Sequence, residues 1–138
     1  MKEVAAAIHS RLGSATSAGT FHALVSGRYY HVEAPQNTAF PLAIWTLEGV
    51  DNADQFDGSR ILRGTVTFDI YCEARVGAAV CMDIEEALYT LLDQQNLAVS
   101  GSTYGTAVLQ CISRGVPSAT DEFIVMTTTY SLFTSRVA

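Results

Sequence analysis

Three aspartates spaced three residues apart, Asp51, Asp54 and Asp57 in DNADQFDGSR, are the first candidates for chemistry in this chain. Such a set could ligate calcium or supply the acid and base of a hydrolytic site. An EF-hand loop needs acidic or amide ligands at positions 1, 3 and 5, glycine at 6 and glutamate at 12. With Gly58 as the sixth residue, positions 1, 3 and 12 are Ala53, Gln55 and Gly64. With Asp51 first, the sixth residue is Phe56. Neither frame works. Paired-carboxylate catalysis needs two acids whose surroundings split their pKa values, one of them partly desolvated. A polar loop offers no desolvation, and Asp69 and Glu73 fall on the polar side of their strand. Asp57-Gly58 is a turn dipeptide, so the segment reads as a hairpin tip long enough to make a contact.

The other reactive residue types give no catalytic set. There is no G-x-S-x-G elbow. His9, His22 and His31 make no H-x-x-H or H-E-x-x-H pair, so zinc has no foothold; His9 and His22 fall in helical segments and His31 on a strand beside Tyr29 and Tyr30, and each reads as a packed or surface residue. GSATSAGT (13–20) has five residues between its glycines where a Walker A loop has four, and it lacks the lysine. Cys72, Cys81 and Cys111 have no CxxC spacing and read as reduced, mostly buried small hydrophobes. No metal or cofactor and no enzymatic activity are expected.

Bulk properties narrow the partners. The chain has 138 residues, 49% of them hydrophobic and 16% charged, the size and composition of one folded domain, 1–138. Its formal net charge is −6, with one lysine, Lys2, and seven scattered arginines. Phosphate-tracking surfaces need clustered Lys and Arg, so nucleic-acid binding is not expected. No run reaches the roughly 18 to 20 apolar residues that cross a bilayer. Glu3, His9 and Arg11 interrupt the N-terminal apolar stretch, so no signal-peptide core is expected.

The elements that carry these residues follow from periodicity. Val4, Ala5, Ile8 and Leu12 recur at helical spacing, and a second short helical stretch over 20–25 ends at Gly27. Pro35 and Pro41 bracket an extended connection into a strand over 41–49, followed by the acidic stretch 50–60. Residues 63–74 alternate: Val66, Phe68, Ile70 and Cys72 face one way, and Thr65, Thr67, Asp69, Tyr71 and Glu73 the other. A helix over 77–95 has the stripe Val80, Ile84, Leu88 and Leu91, reinforced by Ala87 and Leu92, with Asp83, Glu85, Glu86 and Asp93 mostly toward water. A short strand falls near 97–100. Strands over 106–114 and 122–134 are joined across Gly115, Pro117 and Asp121. The last carries large side chains on both faces, which marks either a doubly covered central strand or one covered by another chain. The fold expected is α+β: a mainly antiparallel sheet of about four strands with helices packed on one face.

FHALVSGRYYHVEAPQNTAFPLAIWTLEG followed by GTVTFDIYCEARVGAAVCMDIEEALYTLL resembles the tail-completion, or tail-terminator, proteins of long-tailed phages. The resemblance rests on a helix ending at Gly27, a tyrosine-bearing segment leading to Ala34-Pro35, a proline-initiated strand over 41–49, and Asp69-Ile70-Tyr71 running into an amphipathic helix. It covers roughly residues 8 to 135 and has no catalytic string. It implies a virion protein of the tail or neck, assembled in the host cytoplasm. Subunits form a ring, commonly a hexamer, which caps the head-proximal end of the tail tube, stops its polymerisation and meets the head–tail connector. The genome passes through without sequence-specific binding. In that setting Asp51, Asp54, Asp57, Arg60, Arg63 and Tyr71 are candidate contact residues, and the acidic loop is a candidate channel lining. The other readings are a connector or stopper protein of the neck and a small-ligand-binding α+β domain.

Overall fold

The structure is a computed structural model that describes residues 2–54, 60–97, 99 and 105–136, with the backbone alone described at 49–54, 60–62, 135 and 136. Apolar residues three and four apart give helix α1 (Lys2–Leu12) its buried side of Val4, Ala7, Ile8 and Leu12. Helix α2 (Phe21–Leu24) buries Phe21, and the chain reverses at Gly27, whose φ of 73° suits glycine. The Gly27 N–H donates to the His22 carbonyl at 2.9 Å and closes that turn.

Strand β1 (Tyr29–His31) lies parallel to β2 (Leu42–Asp54), which turns back antiparallel into β3 (Arg60–Glu73). After helix α3 (Ala78–Leu92) come β4 (Gln95–Leu97), β5 (Ala107–Arg114), β6 (Ser118–Ala119) and β7 (Phe123–Arg136). All seven strands share one sheet in the order β1-β2-β3-β7-β5-β4, with β6 beside β7. The sheet therefore has seven strands instead of about four. Three are short: β1 falls on the strand expected at His31, β4 lies just ahead of the one expected near 97–100, and β6, two residues long, is too short to carry an alternation.

The core lies between the helices and one face of the sheet. Val66, Phe68, Ile70 and Cys72 of β3 are fully buried there, as the alternation requires. Phe68 meets Trp45 at 6.3 Å between ring centres and Tyr130 edge-on at 5.8 Å, linking β2, β3 and β7 in one aromatic row. Strand β7 is central, paired along its length with β3 and on its other side with β5 and β6. Its helix-side residues Ile124, Met126, Thr128, Tyr130, Leu132 and Thr134 are buried. The Thr128 and Thr134 hydroxyls donate to the carbonyls of Ser113 and Gly105, at 3.1 and 3.3 Å, so both buried hydroxyls are satisfied. The opposite face of β7 is half-buried to exposed, so the strand is central but covered on one side only.

Helix α3 departs from the expected stripe. Its buried residues are Cys81, Ile84, Glu85, Leu88 and Leu92, while Val80 is exposed. The buried side is rotated by about one position, which brings Cys81 and Glu85 inward.

Candidate assembly surface

The two long strands β2 and β3 pair from Leu42↔Tyr71 to Asp54↔Arg60, forming a hairpin arm with an irregularity between Glu48 and Asp51. The acidic stretch expected as a loop from 50 is strand through Asp54. Asp and Asn are poor strand formers, but β3 is held over its whole length by β7, and this fixed neighbour templates β2 to its end. The register makes Asp51 the cross-strand partner of Arg63 and Asp54 the partner of Arg60. Asp57 lies outside the described residues.

The uncovered face of the sheet is built in transverse rows. At one end Arg63 pairs in register with Phe133, and its guanidinium stands 5.9 Å from the Phe133 ring centre. Phe133 in turn faces Val108, and the two are 44% and 36% exposed, an apolar pair left in solvent. The middle rows are hydroxyl-rich: Thr46, Thr67, Thr129 and Ser113, then Glu48, Thr65, Ser131 and Gln110. The Thr127 hydroxyl donates to Asp69 at 2.6 Å, which gives that carboxylate a structural partner.

Tyr71 stands at the other end of this face. It meets Phe123 edge-on at 5.4 Å, and Phe123 lies 6.4 Å from Phe40. These rings, with Pro35, Leu42 and Ile44, line an open groove of about 380 Å³. Arg28 positions the wall of the groove, donating to the carbonyls of Pro41 at 3.0 Å and Phe40 at 3.2 Å. Partial burial, and then the nearby Asp69 carboxylate, push the Tyr71 phenol above its ordinary value, so it stays neutral and can donate a hydrogen bond. The structure thus separates Tyr71 from Arg63: they sit at opposite ends of the same face, four rows apart in register.

A charged site went unseen in the sequence. Glu85, expected toward water, is 2% exposed and receives both arms of Arg114, Nε at 2.8 Å and a terminal nitrogen at 2.7 Å. Arg114 also lies 4.2 Å from the centre of the Tyr89 ring. The pair ties α3 to the end of β5. The signal was available: position 85 is four residues beyond buried Cys81 and three before buried Leu88.

The histidines, Glu73 and two of the cysteines have structural partners. His9 and His22 pack against the Tyr29 ring at 5.3 and 5.6 Å, and His31 stacks on Trp45 at 4.0 Å. Glu73 is paired with Arg75. Cys72 and Cys81 are buried in mutual contact, and the Cys81 thiol also donates to the Ile70 carbonyl at 3.5 Å. The hydrogen bond with the Cys72 sulfur, and then burial, push the Cys81 thiol far above its ordinary value, leaving it protonated. Among the described residues no group of three His, Cys, Asp or Glu is placed to hold a metal ion, and no helix is long and apolar enough to cross a membrane.

No family model and no curated protein matches this chain. A chain in the solved virion of a native gene transfer agent particle has the same fold. The two superpose with a TM-score of 0.70 over 94% of this chain and 92% of that one, at 15% sequence identity.

Proposed function

We propose that this chain is a structural subunit of a phage-type particle: a ring-forming tail terminator that caps the head-proximal end of the tail tube, stops its growth and joins tail to head. The observation that carries this reading is the fold shared, nearly end to end, with a chain of a gene transfer agent virion. The tail-terminator resemblance of residues 8 to 135 points the same way. The role is mechanical, without catalysis. Asp69 is engaged by Thr127, Glu73 by Arg75 and Glu85 by Arg114, and the histidines are packed against aromatic rings.

The open sheet face and the hairpin arm are the contact surfaces. Tyr71 with its groove serves one neighbour, and the arm bearing Asp51, Asp54, Asp57, Arg60 and Arg63 reaches another subunit, the tube or the channel. Three aspartates against two arginines leave the segment 51–63 with one net negative charge. An arm of that net sign repels passing DNA weakly.

Particle production without this chain tests the role. A terminator is missing when tail tubes grow past their normal length. Tails of normal length that fail to join heads would place the chain at the connector or stopper position instead, and normal infectious particles would contradict both.

A further inference from the structure

The ring reading leaves open which surfaces of one copy meet the next, and the two lateral edges of the sheet bear on it. Strand β1 covers β2 only at Ala43, Ile44 and Trp45. Beyond Trp45, residues 46–54 have no strand on their outer side among the described residues. At the other edge β4 covers β5 only at Ala107, Val108 and Leu109, which leaves 110–114 without an outer strand among the described residues; the Cys111 N–H there has a side-chain partner, the Asp93 carboxylate at 2.8 Å. Unpaired main-chain groups along a strand are a template for another strand.

Three properties of these edges fit each other. The first is polarity. Strands β2, β3, β7 and β5 alternate in direction, so the β5 edge of one copy beside the β2 edge of the next continues an antiparallel ladder. The second is height: Thr46 shares a transverse row with Ser113, and Glu48 shares one with Gln110, so both open stretches overlap without a vertical shift. The third is charge. The β2 edge carries Glu48, Asp51 and Asp54, whereas 110–114 is Gln-Cys-Ile-Ser-Arg. Pairing β2 with another β2 would set acids against acids, whereas the β5 edge sets one acid, Asp93 at the Cys111 N–H, beside one base, Arg114. We propose that the outer edge of β2, residues 46–54, pairs by main-chain hydrogen bonds with the outer edge of β5, residues 110–114, of a second copy. Such a contact is heterologous and closes into a ring when the rotation per copy allows it. The Glu85–Arg114 pair braces the β5 side of this contact from α3.

The proposal rests on the ring reading, and one substitution separates the two. The Ala43 N–H donates outward to Arg28 and the Trp45 carbonyl accepts outward from Val32, both at 2.9 Å. Strand alternation then directs the Leu47 N–H outward too, away from β3. Leu47→Pro removes that donor and spares the β2–β3 ladder, while Leu47→Ala trims the same packing and keeps the donor. Native mass against concentration should show rings for the wild type and Leu47→Ala. Leu47→Pro should stay a folded single chain, or need at least about tenfold more protein to half-assemble. Rings of Leu47→Pro at the wild-type concentration would overturn the edge pairing and leave the ring standing. A wild type that stays a single chain even with tube ends present would overturn the ring, and the pairing with it. Amide exchange on the wild type decides the matter without any variant. The Leu47 N–H should exchange more slowly in assembled than in dilute protein, and equal rates would overturn the pairing.

Discussion

Replacing Arg114 with methionine strips the Glu85 carboxylate of both its guanidinium hydrogen bonds while α3 keeps it out of water. Removing one partner of a fully buried ion pair destabilises by about 3–5 kcal/mol, because an uncompensated charge stays behind. Here the Arg114 side chain is 39% exposed, so water reaches the vacated side and lowers the penalty. Methionine also retains most of the packing against Tyr89. We therefore expect Arg114→Met to lose about 2–4 kcal/mol. Glu85→Leu should lose less, since a partly exposed guanidinium that loses its partner is rehydrated. The double variant Glu85→Leu, Arg114→Met should return to within about 1 kcal/mol of wild type, as buried pairs replaced by apolar groups often do. Urea denaturation, at concentrations where the native mass is that of one chain, measures all three. An Arg114→Met stability within about 0.5 kcal/mol of wild type would refute the reasoning, as would a Glu85→Leu loss larger than that of Arg114→Met.

Further outcomes follow from the same geometry. A side chain at Gly115 would place its Cβ 2.2 Å from the Thr127 carbonyl oxygen, so Gly115→Ala must displace backbone between β5 and β6. Thermal denaturation should show a loss of about 1–3 kcal/mol. Burial raises the phenols of Tyr29 and Tyr130 above their ordinary value of 10.0. Their contribution is whole below pH 10 and is lost as pH rises through the folded values, at about 1.4 kcal/mol per pH unit for each phenol. Stability against alkali should fall beyond pH 10, together with the appearance of phenolate absorbance. Changing Asp51, Asp54 and Asp57 together to Asn should leave the melting curve of the single chain unchanged and alter assembly or DNA passage; normal particle yield and infectivity would make the arm merely solvent-facing.

Much of the architecture was legible because periodicity is a local property. The strict alternation of 63–74 named the core face of β3 correctly, and Gly27 marked a real chain reversal. What escaped depends on neighbours distant in sequence. Strand β6 exists because β7 offers it an edge, and two residues carry no period of their own; β4 lies at 95–97, ahead of the expected 97–100, for the same reason on β5. The continuation of β2 through Asp51 and Asp54 depends on pairing with β3, which β7 holds in place from behind. Glu85 was assigned to solvent by residue type, whereas its partner lies 29 positions away on β5. Of the contact candidates, the sequence located the hairpin arm. That Tyr71 belongs to an aromatic groove with Phe40 and Phe123 required the folded sheet.

Native mass against concentration, with negative-stain images of the same samples, tests ring formation most directly. The account predicts closed rings of several 14.8 kDa subunits with an open centre, formed free in solution or on the ends of tail tubes. A chain that stays single at high concentration and leaves tube ends bare would contradict it.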